Sequence, residues 1–198
     1  MLENKIAKMP LSNWGGLSFK CHCGTRHEIS VKEIVIRDDV GALIPYFAKK
    51  MGRVAQVVYD ECVYHEAREK VVQKMNKSFD VTECLLHGSN TLTKDYCDKL
   101  LSQANEATKV IICVGGANAN EYGKYASAKL GCQWIFINIL PNGDNFASNY
   151  SMLWDGGVKQ MFKGHAPDVI LCDLDLAYRL SAEKTDEAFA LILRNLGI

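Results

Sequence analysis

Short, continuously apolar runs alternate along this chain with longer amphipathic ones, and that alternation constrains the fold more than any single motif. The segments EIVIR (33–37), VAQVVYD (54–60), ECLLH (83–87), KVIICVGG (109–116), WIFINI (134–139) and DVILCD (168–173) read as strands. Several are apolar at successive positions, where a strand with one wet face would alternate, so both faces are expected to be covered. Between them, 38–52, 61–77, 92–106 and 118–131 carry helical spacing. The pattern predicts an α/β fold: a Rossmann-like parallel sheet flanked by helices. A length of 198 residues fits a single domain over 1–198. Residues 1–30 then form an N-terminal extension, and 181–198 a terminal helix with Ser181 as its N-cap.

Composition excludes some functions. Lys and Arg total 23 and so do Asp and Glu, and no run of five basic residues exists, so no nucleic-acid partner is expected. No apolar run approaches the roughly 20 residues of a membrane span, and the N-terminus lacks a signal-peptide core. No membrane association is expected, and the expected location is cytoplasmic. The eight cysteines sit mostly singly inside apolar segments, which points to reduced, buried thiols for most of them.

Two strand ends carry residues suited to a ligand. In VGGANANE, a strand ends in Gly115 and Gly116 and a helix follows at once. Such a turn lets backbone approach a ligand closely and points helical N–H groups at an anion; the alternative is a plain tight turn. The motif is not G-x-G-x-x-G, because Ala117 holds the third position. In VVYDE, Asp60 ends an earlier strand, where an acid can accept hydrogen bonds from ribose hydroxyls or cap the next helix. Both lie at strand C-termini, where open α/β sheets bind ligands.

Elsewhere the signals are weaker. FKCHCGTRHEI gathers Cys21, Cys23 and His27 as a candidate zinc cluster, set against a tight surface turn. YHEAREK lacks the second His of a zincin helix and reads as a solvated face. The segment 140–167 is too long for a routine connection, so it is either functional or contains short irregular strands. Asp144, within it, could meet a substrate hydroxyl or make an Asx turn.

Taken in order, these residues resemble the nucleotide-binding N-terminal half of the sn-glycerol-1-phosphate dehydrogenase family, within the wider group of iron-containing alcohol dehydrogenases, glycerol dehydrogenases and dehydroquinate synthases. The resemblance covers roughly residues 18 to 175. FKCHCGTRHEI resembles a Cys-x-Cys-Gly-x-x-His opening of that family, and VVYDECVYHEA the strand whose terminal Asp meets the adenosine ribose. VGGANANEYGKYAS is similar to the Gly-Gly-Gly-Ser-x-x-Asp-x-x-Lys phosphate turn and helix. NILPNGDNFAS falls on a Pro-Thr-x-x-Ser-x-Asp-Gly segment, and APDVILCDLDL matches the strand that closes the nucleotide domain.

The resemblance implies NAD or NADP as cofactor and hydride transfer between NAD(P)H and dihydroxyacetone phosphate. It places Asp60 at the adenosine ribose and Gly115, Gly116, Ala117 and Asn118 around the pyrophosphate. It places Lys124 near the phosphates or the reacting end, Ser148 near the cofactor and Asp144 at a substrate hydroxyl. The departures are Ala117 for the third glycine, Glu121 for Asp, Asn138-Ile139 for Pro-Thr and Asn142 for Ser. In this family a second, helical domain supplies an Asp and two His to zinc or iron, and the chain has no match to it. Catalytic metal is therefore not expected in this chain alone, which is expected to be inactive by itself. The expected partner is a helical catalytic domain or a second copy. The alternative is a free-standing, non-catalytic nucleotide-binding or interaction module from the same family.

Overall fold

The computed structural model describes residues 6, 8–75, 78–88, 91–140, 142–143, 145–179 and 186. Apart from residue 186, the terminal helix expected over 181–198 lies outside the described residues, as do its cap Ser181 and Asp144.

The chain opens with a hairpin of β1 (Ser18–Lys20) and β2 (Arg26–Glu28) and then enters β3 (Glu33–Arg37). There follow α1 (Leu43–Met51), β4 (Val54–Asp60), α2 (Tyr64–Met75), β5 (Asp80–Leu86), α3 (Lys94–Leu101) and β6 (Val110–Gly115). Next come α4 (Ala117–Leu130), β7 (Gln133–Asn138), a hairpin of β8 (Tyr150–Asp155) and β9 (Val158–Lys163), β10 (Val169–Asp173) and the short α5 (Leu174–Ala177). Six of these strands form one sheet in the order β3-β10-β7-β6-β4-β5, and every pairing in it is parallel. The α/β, Rossmann-like expectation holds.

The continuously apolar strands are explained by two cores, one on each face. Val57, Tyr59, Ile112, Val114, Ile135 and Ile137 pack with Ile44, Phe47, Ala67, Val71 and Met75 of α1 and α2. The alternate residues Val58, Ile111, Cys113, Trp134 and Phe136 pack with Cys97, Leu100, Tyr122, Tyr125 and Ala126 of α3 and α4. Fully burying each large apolar side chain contributes about 1.5–3 kcal/mol, so neither face could be left wet. On α4, a Cβ at Gly123 would run into the Trp134 indole, and the glycine lets helix and strand approach closely.

Buried thiols were expected for most cysteines, and the structure narrows this to Cys84, Cys97 and Cys113. Cys21, Cys132 and Cys172 are half-buried, and Cys23 and Cys62 exposed; none is in a disulfide. Among the described residues, no helix is long and apolar enough to cross a membrane.

The topology selects one place on this sheet. From β4 the chain steps outward to β5, then returns past β4 to place β6 on its other side and continues to β7. Strand order therefore reverses between β4 and β6. In open α/β sheets the crevice for a ligand lies outside the C-terminal ends of the strands at such a reversal; here those ends are Asp60 and Gly115.

Candidate functional site

The two strand ends interlock. The Gly116 N–H donates to Asp60 Oδ2 at 2.7 Å, and a Cβ on Gly115 would occupy the space of the Asp60 carboxylate. Gly115 also has φ +148°, a conformation L side chains rarely adopt. Asp60 makes no side-chain cap to the turn that follows it, so its carboxylate serves the glycine turn and not the next helix. The next donor, the Ala117 N–H, gives its hydrogen to Asn142 Oδ1 at 2.9 Å. A Cβ on Gly116 would strike that same side chain. The turn is thus anchored on one side by a carboxylate and on the other by a loop amide.

Beside the turn lies a cavity of about 740 Å³. Ala117, Asn118, Asn120 and Glu121 from the first turns of α4 form one wall. Asn142, Gly143, Asn145 and Phe146 form another, and Thr91, Leu92, Met152, Trp154 and Lys159 close the space. The hairpin reaches that position because the Trp154 N–H donates to the Leu92 carbonyl and Thr93 bridges Trp154. Asn120 is only 1% exposed. Its Nδ2 donates to the Phe146 carbonyl, while its Oδ1 has no hydrogen-bond partner among the described residues. An unmet buried acceptor is costly, and this one belongs to a residue of the cavity wall. The first-turn N–H groups of α4 add the positive end of a helix dipole, and Lys159 adds a cation.

The residues expected to meet ligand divide into two sets. Gly115, Gly116, Ala117, Asn118 and Asp60 are brought together at the reversal, and of these Ala117 and Asn118 line the cavity. Lys124 is set behind the cavity wall: its side chain is fully buried, with Nζ 2.8 Å from Glu121 Oε1 and donating to the Asn145 carbonyl. Glu121 also accepts the Met152 N–H, and its carbonyl accepts the Ser151 hydroxyl. The acid-x-x-Lys pair therefore clasps the 140s loop and β8 onto α4. Ser148 is not among the cavity-lining residues; its Oγ donates to the Tyr150 carbonyl and closes a local turn. Asn120 and Lys159 were not singled out in the sequence. Asn142 stands at a position marked as a departure, Asn120 is one more polar residue in a helix, and Lys159 lies in a strand with no clear period.

The first hairpin carries a second constellation. Cys21, Cys23 and His27 place their ligand atoms within 4.8 Å of one another, with Cys23 Sγ 3.3 Å from His27 Nε2. Backbone hydrogen bonding at Thr25, and then the His27 ring, bring the exposed Cys23 thiol down to about 6.

Against known proteins, residues 35–179 match the model of a family described as iron-containing alcohol dehydrogenase. Glycerol-1-phosphate dehydrogenase [NAD(P)+] of Geobacillus stearothermophilus is 27% identical over 158 residues, 76% of this chain and 39% of that protein. The crystal structure of glycerol dehydrogenase from Schizosaccharomyces pombe superposes with a TM-score of 0.67 at 22% identity, over 81% of this chain and 41% of that one. The iron-containing alcohol dehydrogenase of Thermococcus thioreducens gives 0.73 at 13% identity, over 83% and 51%. The chain thus spans about two-fifths of the length of the curated relatives it matches. Since the family match runs through β4, the glycine turn, α4 and β10, the chain belongs to the iron-containing alcohol dehydrogenase family.

Proposed function

We propose that the chain is the nucleotide-binding half of an NAD(P)-dependent oxidoreductase of the sn-glycerol-1-phosphate dehydrogenase type. The observation that carries this is the cavity at the N-terminus of α4, beside the strand-order reversal, walled in part by Asn120, whose Oδ1 has no partner among the described residues. The residues suit a dinucleotide. The Asn118 end of α4 suits a pyrophosphate. Asp60 fixes the turn ahead of that helix end through the Gly116 N–H, and Lys159 offers a counter-charge. The acceptor Oδ1 of Asn120 fits an amide or hydroxyl donor on the ligand, and Phe146 and Trp154 supply apolar wall.

Bound there, the cofactor would supply the hydride; this chain's own residues bind and orient it. Iron or zinc of the family's kind does not fit the residues described. Among them, the group with three metal-ligating side chains is Cys21, Cys23 and His27, and none of these lines the cavity. No metal-assisted step is assigned to this chain, and reduction of dihydroxyacetone phosphate would require a helical domain supplying the metal. Calorimetric titration with NADH and NADPH tests the proposal: saturable binding is expected, reduced by Asn120→Leu, and no heat at millimolar cofactor would refute it.

A free-standing binding module is the second reading, favoured by Asn142, whose side chain already takes the Ala117 N–H. If cofactor binds only after Asn142→Gly, the turn is closed in the native chain and the second reading is the better one.

A further inference from the structure

We infer that the β1–β2 hairpin is a metal clasp, in which Cys21 Sγ, Cys23 Sγ and His27 Nε2 hold one zinc ion and water completes the tetrahedron. The proposal does not depend on the nucleotide site. Zn–S bonds of about 2.3 Å and Zn–N bonds of about 2.0 Å put tetrahedral ligand atoms about 3.5–3.8 Å apart. The Cys23–His27 separation is 3.3 Å, and all three atoms lie within 4.8 Å of one another, so small side-chain rotations bring them to one ion. Two sulfurs and an imidazole are a donor set that selects zinc over magnesium or calcium.

The backbone presents these groups. The Cys21 N–H donates to the Thr25 carbonyl and the Gly24 N–H to the Cys21 carbonyl, a tight turn that Gly24 allows with φ +86°. The ladder sets His27 opposite Phe19, so the imidazole returns beside the Cys-x-Cys loop. His22 Nδ1, 3.6 Å from Cys21 Sγ, adjoins the cluster. A clasp also answers a structural need. Each strand is three residues long, and every residue of β2 is exposed, whereas an isolated two-stranded ribbon is marginal in water. The hairpin has little apolar burial to hold it, and a bound ion would supply that hold.

The test uses the whole chain, purified without a metal-affinity step and kept reduced. Zinc is measured by mass spectrometry, and the metal-free protein is titrated with Co2+. Expected are one zinc per chain, visible cobalt bands of tetrahedral intensity and a thiolate-to-cobalt charge-transfer band. Cys23→Ser and His27→Ala should each weaken Co2+ binding by at least about tenfold, and Cys62→Ser, outside the cluster, should leave it unchanged. Should the loss variants fail to fold, His27→Cys decides, because it keeps three ligands and should retain cobalt with a stronger charge-transfer band. A spectrum without thiolate ligation, equal affinity in cluster and control variants, or a Cys21–Cys23 disulfide in peptide maps of the freshly purified protein would overturn the clasp.

Discussion

Gly115 and Asp60 are a mutual fit. The carboxylate fills the volume a side chain would need, and the glycine supplies both that volume and a left-handed φ. Gly115→Ala should therefore lower stability by about 1–3 kcal/mol or more through backbone strain alone, read as a fall in the urea midpoint, with further loss from displacing Asp60. Asp168 offers a pH test. Its side chain is 4% exposed and ion-paired with Lys32, and it accepts the Trp134 N–H and the Gln133 amide. Burial alone would raise its pKa, but Lys32, Gln133 and the Trp134 N–H together hold it below the ordinary carboxylate value. A depressed native pKa means that the unfolded state takes up the proton first. Asp168 thus contributes full stability above the usual carboxylate range and loses it as pH falls through the native value. The stability difference between the native chain and Asp168→Asn should be largest near neutral pH and should shrink on acidification, as measured by urea unfolding across that window.

At the scale of elements, α4 does two things: its N-terminus borders the cavity, and its Glu121–Lys124 pair fastens the loop and hairpin that enclose it. Removing one member of a buried pair leaves the other uncompensated, at a cost of about 3 kcal/mol. Lys124→Met should approach that loss, and the double variant Glu121→Gln/Lys124→Met should lose less than the two single changes added together; unfolding midpoints of the four proteins give the coupling. The strands of the main sheet were legible in the sequence because burial on both faces writes a continuous apolar run. The β8–β9 hairpin was legible only as one alternative, short irregular strands within 140–167, because most of β9 is exposed and no period marks it. Its signal was the turn Asp155-Gly156-Gly157, where both glycines have positive φ, the requirement of a two-residue hairpin turn. The candidate site was half legible. Glycines and an acid at strand ends can be read from spacing, but the Lys124 clasp and the Asn142 cap depend on where a loop folds back.

For the whole molecule, the sheet reversal, the α4 dipole and Lys159 converge on one cavity, so a ligand there should stabilise the entire fold and not a single loop. A ligand that binds only the native state at 100 times its Kd adds about 2.7 kcal/mol. In a chain of this size each kcal/mol raises Tm by about 2–4 °C, so saturating NAD(P)H should raise the transition by about 5–11 °C. Screening weakens contacts between exposed charges and an anion, so the shift should decrease with added salt. Lys159→Ala should lower both the shift and its salt dependence, while Asn120→Leu should lower the shift and leave the salt dependence intact, because a neutral amide carries no charge to screen. Differential scanning calorimetry at two ionic strengths separates these outcomes, and equal shifts in the native protein, Lys159→Ala and Asn120→Leu would place the nucleotide somewhere other than this cavity.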